Sequence, residues 1–357
     1  MNIVFLVYDI HFGGGAERVT ANLANHLAAD NNKVTIVSLS RFNPSNIFTI
    51  NDKVTVEYLN FNFDSIFNPL YKVASVFKVN SYFRHYPSPT ILLGIGTYPS
   101  LILAMMPNRK NLKTIGCQHN SFTFAKHIWS FLRKLSFHRL SAVVSLTEHD
   151  LPKLKTLNPN SYVIPNAVSF VPDIPAKLDN KIILAIGRMD YNKGYDLLLD
   201  VFEKLKLAYP DWKLRIIGDG PLKKKIISRV EISGLNDRVE ILSPTNQIID
   251  QYLQASVYLM TSRTEALPMV LLEAKACGLP IVSFNCETGP SDIINNDKDG
   301  YLIDCFNVDQ MAEKVSMLSS DPELRRQFGT NGRESIKKFL PEVIAQKWET
   351  LFRQIIQ

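Results

Sequence analysis

Apolar residues along this chain come in short unbroken runs, separated by stretches where they recur every three or four positions. The runs at 3–7, 34–39, 90–95, 113–116 and 142–146 predict strands covered on both faces, as in a parallel sheet. Between them, residues 16–29, 66–84, 100–106 and 124–140 carry the helical period. The alternation resumes after the Pro-bearing stretch at 171–176. Strands are expected at 182–186, 214–217, 239–242, 256–261, 281–284 and 301–303. Helices are expected near 195–209, 222–233, 248–254, 268–277, 308–318, 322–339 and 341–357.

Alternation of strands with helices defines an α/β chain with two doubly wound domains joined near residue 170. Ligands of such sheets bind at the carboxyl ends of strands, so a cleft between two facing domains is the expected site. A length of 357 residues fits two domains, and a composition with 46% hydrophobic and 21% charged residues is that of a soluble globular protein.

Charge changes the picture more than composition does. Residues 1–172 hold 16 Lys+Arg and 8 Asp+Glu, a net +8, and the remainder is close to neutral at −2. A basic N-terminal half points to an anionic partner, membrane surface or nucleic acid, with a mildly basic soluble domain as the alternative. The helical stretch 126–140 mixes aromatic and basic residues. Ile128, Phe131, Leu132 and Leu135 can form one face, with Lys126, Arg133, Lys134 and Arg139 elsewhere, as in a helix lying on an anionic bilayer. The four cysteines have no zinc spacing and read as reduced core thiols of a cytoplasmic protein. The opening residues lack a basic n-region and read as a strand, not a signal peptide.

Candidate chemistry clusters at predicted strand ends. Glu265 and Glu273 have seven residues between them, the first before a helix and the second inside it among Val270, Leu271, Leu272 and Ala274. A carboxylate in such company needs hydrogen-bonding partners, and a polyhydroxylated ligand such as a sugar nucleotide supplies them. Gly187, Arg188 and Lys193 follow the strand at 182–186, where two cations suit a diphosphate. Gly13, Gly14 and Gly15 follow the first strand and let backbone approach an anion at a helix N-terminus. Gly218 begins a Gly-Asp-Gly turn after 214–217, which alone reads as a tight turn. His119 follows the strand ending at Gly116, and its position makes it a candidate. Asp297-Lys-Asp299 spells D-x-D but lies in a polar run ending in Gly300, where an ordinary turn is the better reading. No His/Asp/Glu cluster has convincing metal-ligand spacing, so no metal or other cofactor is expected.

In this order, the Gly13–Gly15 loop, His119, Pro165-Asn166, Gly187-Arg188 with Lys193-Gly194, Gly218-Asp-Gly220 and Glu265-x7-Glu273 resemble a family 4 glycosyltransferase, a retaining enzyme of the GT-B fold. The resemblance covers nearly the whole chain. It implies two Rossmann-like domains, 1–170 for the acceptor and 171–340 for the donor, with the helix at about 341–357 returning to the first. It implies that His119, Glu265, Arg188 and Lys193 carry catalysis. Glu265 would meet the hydroxyls of the transferred hexose and Glu273 those of the ribose, while Arg188 and Lys193 hold the diphosphate. Gly14 and Gly15 would approach phosphate and acceptor, and His119 would lie beside the donor sugar. Gly187 and Gly218 would line the donor site, with Pro244 and its neighbours Ser243 and Thr245 flanking the base. The amides of Leu267, Met269 and Val270 would face the phosphate, Pro268 having none to give.

Two departures matter. Ala266 stands where Gly commonly follows the first Glu, and Ser243-Pro244 replaces the Gly often found after that strand. The sequence around Glu265 and Thr288-Gly-Pro290 is most similar to members that build capsule, O-antigen or lipid-linked oligosaccharide. The resemblance thus implies a UDP-hexose donor, galactose or N-acetylgalactosamine ahead of glucose or N-acetylglucosamine. It implies a saccharide or polyprenyl-linked acceptor, no nucleic acid, and a cytoplasmic enzyme held peripherally on the anionic inner face of the bacterial plasma membrane. The rivals are a GT-B-fold UDP-sugar epimerase, a nicotinamide oxidoreductase with the wrong glycine spacing, and a non-catalytic membrane-surface module.

Overall fold

The computed structural model describes residues 1–42, 48–61, 69–87, 89–119 and 127–357, with the backbone alone for 69–72, 127 and 128. The chain divides into two compact units, Met1–Ala167 with Leu340–Gln357, and Val168–Phe339.

The first unit is built on a parallel sheet of seven strands: β1 (Asn2–Val7), β2 (Lys33–Ser38), β3 (Val54–Tyr58), β4 (Thr90–Ile95), β5 (Leu112–Cys117), β6 (Ala142–Ser145) and β7 (Ser161–Val163). Their order is β3-β2-β1-β4-β5-β6-β7. Unbroken apolar runs follow from helices on both faces. Ile3, Phe5 and Val7 pack with Ala24 and Leu27 of the helix Gly15–Ala29 and with Trp348 and Phe352 of the helix Pro341–Ile356. Val4 and Leu6 point the other way, toward Phe83, Leu101, Ile102 and Phe137. The last helix of the chain is therefore core material of the first unit, as the resemblance implied.

Strands β3 and β7 are additional to the five runs read from the sequence. They are the two sheet edges, and β3 is polar and half-exposed after Val54, so neither has the apolar signature of a central strand. The helix expected at 66–84 runs Pro69–Tyr82, followed by a 3₁₀ turn Phe83–His85. The helix expected at 124–140 runs His127–Ser136, followed by a 3₁₀ turn Phe137–Arg139. The first residues of both expectations, Lys126 included, lie outside the described residues.

The second unit repeats the plan with six parallel strands: β8 (Ile182–Ile186), β9 (Lys213–Ile217), β10 (Val239–Leu242), β11 (Val257–Met260), β12 (Ile281–Phe284) and β13 (Gly300–Ile303). The order is β10-β9-β8-β11-β12-β13. In each unit the strand order reverses beside its first strand, at β1/β4 and at β8/β11. Such switch points leave a crevice at the strands' carboxyl ends, where ligands of doubly wound sheets bind. Among the described residues no helix is long and apolar enough to cross a membrane.

Candidate active site

The loops leaving β8 and β11 flank the switch point of the second unit. After β8, Asp190 caps the 3₁₀ turn Tyr191–Lys193 by accepting from the amides of Asn192 at 3.0 Å and Lys193 at 3.3 Å. Gly194 closes the turn at φ +64°, where a Cβ would sit 2.1 Å from the Thr261 carbonyl oxygen. Only glycine allows that approach. Thr261 fixes the contact by donating from its hydroxyl to the Gly194 carbonyl at 2.9 Å.

Arg263 fastens the same two loops from the other side. Its guanidinium forks onto Asp196 at 3.0 and 2.6 Å, donates to the Tyr191 carbonyl at 2.8 Å and lies 4.2 Å from the Tyr191 ring centre. Its backbone amide donates to the Asn192 carbonyl at 2.7 Å. The Arg263 partner holds the Asp196 carboxyl below its ordinary range. The 3₁₀ turn that carries Lys193 and the loop that carries Glu265 are thus one braced piece.

Within it, Lys193 Nζ donates to Glu265 Oε1 at 2.6 Å, both side chains being largely buried. The Thr288 hydroxyl donates to the Glu265 carbonyl and holds the loop from behind. Glu273 lies on the helix Met269–Ala276 and takes bonds from the hydroxyls of Ser169 at 3.1 Å and Tyr252 at 2.9 Å. That helix starts at Pro268 without a side-chain cap, so Met269 and Val270 provide first-turn amides beside Ala266 and Leu267. Gly187 and Gly218 touch: a Cβ on Gly218 would lie 2.0 Å from the Gly187 carbonyl oxygen. Arg188 is exposed, its Nε 3.9 Å from Asp190 Oδ2, and Pro244 is exposed beyond the end of β10.

The D-x-D pair has a structural use. Asp299 forms an ion pair with Lys275 at 2.9 Å, the two side chains being 1% and 0% exposed. It also accepts from the Asn295 amide and side chain and from the Ser335 hydroxyl. That carboxylate is committed to the fold.

In the first unit, Gly14 and Gly15 open the helix Gly15–Ala29 at the end of β1. The Glu17 carboxyl returns over this loop and takes hydrogen bonds from the backbone of Gly14 and of Glu17 itself; burial nonetheless pushes its pKa up. A Cβ on Gly14 would meet Glu17 Oε2 at 2.5 Å. The glycine loop therefore already holds an anionic group of the protein. His119 follows β5, partly exposed, and desolvation lowers its pKa to about 4, so the imidazole is neutral at pH 7.

The helix expected at 126–140 departs from the sequence reading at one basic residue, Arg133. In the helix His127–Ser136, Arg133 is 2% exposed and donates to Gln118 Oε1 at 3.3 Å, whereas Phe131 and Leu135 are each 57% exposed. The apolar pair faces outward beside Lys134, His138 and Arg139, and one of the basic residues is core.

Arg263, Asp196, Tyr252, Ser169, Thr288 and Glu17 were not anticipated. Glu17 alone had a local signal, three residues after Gly14 as in a capping box.

Two Rossmann-like units, one with a lysine–carboxylate pair at its switch point, are the plan of the GT-B fold. Residues 13–170 match the family described as Glycosyltransferase Family 4, and residues 170–335 match the one described as Glycosyl transferases group 1. The chain is 30% identical over 353 residues to an uncharacterized glycosyltransferase of Haemophilus influenzae, covering 97% of this chain and 98% of that one. It is 29% identical to the amylovoran biosynthesis glycosyltransferase AmsD of Erwinia amylovora, over 98% of this chain and 99% of the other. It is 26% identical, over 99% of both chains, to a Campylobacter jejuni α-1,4-N-acetyl-D-galactosaminyltransferase whose name specifies a diphospho-undecaprenol-linked saccharide. A Staphylococcus aureus TarM variant, solved with UDP, superposes with a TM-score of 0.82 at 19% identity, over 99% of this chain and 100% of that one. The chain belongs to the family 4 glycosyltransferases.

Proposed function

We propose that this glycosyltransferase moves a hexose from a UDP-sugar to a saccharide acceptor carried on a polyprenyl diphosphate, with retention at the anomeric carbon, in surface-polysaccharide assembly. The Lys193–Glu265 pair carries the reading, because it sets a cation and a hydroxyl acceptor side by side at the switch point. Lys193 and the exposed Arg188 take the diphosphate, Glu265 the hexose hydroxyls and Glu273 the ribose. The relatives that act in amylovoran synthesis and on an undecaprenol-linked saccharide support the acceptor class, and the UDP in the TarM structure supports the donor class. Galactose and N-acetylgalactosamine lead the donor list because the sequence around Glu265 and Thr288-Gly-Pro290 is most similar to members that build capsule, O-antigen or lipid-linked oligosaccharide.

In the reaction the bond from C1 to the UDP oxygen breaks, and the acceptor oxygen bonds C1 from the same face. The acceptor's proton passes to the leaving phosphate. Negative charge grows on that phosphate, and Lys193, Arg188 and the amides of Met269 and Val270 stabilise it without need of a metal. His119, neutral at pH 7, offers a hydrogen bond and not a proton charge. A panel of UDP-sugars tests the proposal: UDP should be released only with acceptor present, and NMR of the product should show the donor's anomeric configuration. Turnover of donor alone into an epimer, or an inverted product, would overturn it.

The acceptor's lipid places the first unit on an anionic membrane face. Phe131 and Leu135, exposed among basic residues, are the groups to enter the headgroup region. The double replacement Phe131→Ser/Leu135→Ser is expected to weaken binding to phosphatidylglycerol vesicles roughly tenfold or more, two apolar side chains being lost. Undiminished cosedimentation of the variant would remove this part of the proposal.

A further inference from the structure

Glu273 is 2% exposed, and the protein has already fixed both of its carboxylate oxygens. Oε1 accepts from the Ser169 hydroxyl at 3.1 Å and Oε2 from the Tyr252 hydroxyl at 2.9 Å. The two donors come from opposite directions in the chain. Ser169 opens the second unit, and Tyr252 belongs to the helix Ile248–Leu253 before β11. Tyr252 has no room to turn. Its ring is fully buried, 6.0 Å from that of Phe170 and 5.9 Å from that of Tyr258. Tyr258 is itself tied to Ile186, the last residue of β8, by bonds of 3.3 Å to its amide and its carbonyl. Burial raises the Tyr252 phenol well above its ordinary pKa, so it remains a proton donor.

A carboxylate that grips the two adjacent hydroxyls of a ribose must present its plane in one orientation, because acceptor lone pairs lie in that plane. A glutamate on a helix has rotatable bonds enough to lose that orientation. Two hydroxyl donors, one on each oxygen, remove the freedom. We propose that Tyr252 and Ser169 are positioning residues that set the plane of the Glu273 carboxylate and thereby make the donor site selective for a ribonucleoside diphosphate over its 2′- and 3′-deoxy forms. The proposal rests on the reading above that Glu273 meets the ribose.

The experiment measures Kd by calorimetry for UDP, 2′-deoxy-UDP and 3′-deoxy-UDP on the full chain, its Tyr252→Phe and its Ser169→Ala variants. The unaltered chain is expected to prefer UDP roughly tenfold or more over each deoxy form, the loss of one hydrogen bond to a charged group. In Tyr252→Phe the preference against at least one deoxy form should fall to about threefold or less, because the ribose grip is then loose. Ser169→Ala should show the same collapse through the other oxygen, and it provides the test if Tyr252→Phe does not fold. Equal binding of all three ligands by the unaltered chain overturns the ribose reading and this proposal together. A preference in the unaltered chain that survives in both folded variants, or a uniform weakening of all ligands at constant ratio, overturns the positioning role alone.

Discussion

Glu265→Gln is expected to lower kcat by about 10²–10³-fold, the usual size of losing one group that recognises the transition state, while UDP binds equally well or more tightly. The split follows from the ion pair. Lys193 Nζ now spends its charge on Glu265 at 2.6 Å. A neutral glutamine frees that ammonium for the diphosphate, so ground-state binding of UDP gains what the sugar contact loses. Lys193→Met should do the opposite, weakening UDP and lowering kcat together, because it removes the cation and leaves Glu265 facing the phosphates uncompensated. Steady-state kinetics beside UDP calorimetry separates the two, with circular dichroism as the control for folding. Wild-type turnover in Glu265→Gln would sink the assignment of the site, and a shared loss of UDP affinity in both variants would sink the division of labour.

The second large effect concerns stability alone. Lys275→Met should cost about 3–5 kcal/mol, because it leaves the Asp299 carboxylate buried without its cation. For a unit of this size that is a fall in Tm of roughly 10 °C or more. The double variant Lys275→Met/Asp299→Asn should recover part of the loss, since it removes the uncompensated buried charge even though an asparagine there cannot accept every bond that Asp299 takes from Asn295 and Ser335. Thermal melting of the three chains decides it. A single variant within 1 °C of the parent would mean that water or another group already compensates Asp299.

Much of the architecture was open to a reader of the sequence because the physics behind it is local. A strand covered on both faces must be largely apolar, as β1, β4 and β11 are. Edge strands obey no such rule, and β3 and β7 went unseen. The site was legible to the degree that its residues follow strand ends: Lys193 lies in the turn after β8 and Glu265 in the loop after β11, while Glu273 stood out as an acid inside an apolar helix. What braces them was not. Arg263 and Asp196 meet only because β8 and β11 are neighbours in the sheet, although they are far apart in sequence. Tyr252 looks like any aromatic on a short helix until the carboxylate beneath it is seen. Arg133 was grouped with the basic residues off the apolar face and Lys275 drew no notice, because their types favour water; only the packing brings Gln118 and Asp299 to them. The turn at Asp297-Lys-Asp299 was foreseen, while the buried ion pair of Asp299 with Lys275 needed the coordinates.

The helix Pro341–Ile356 also bears on how the chain is made. Synthesis runs from the N-terminus, and domains generally fold as they emerge. Here the second unit is contiguous from Val168 to Phe339, whereas the first has its N-terminal portion and its closing helix at opposite ends of translation. Trp348 and Phe352 pack in the same core as Ala24 and Leu27. The nascent first unit therefore lacks these residues of its core while the whole second unit is synthesised. The order of completion on the ribosome is the reverse of the order of the genes' codons for the two sheets, and the interval is one in which a chaperone has a defined hydrophobic surface to hold.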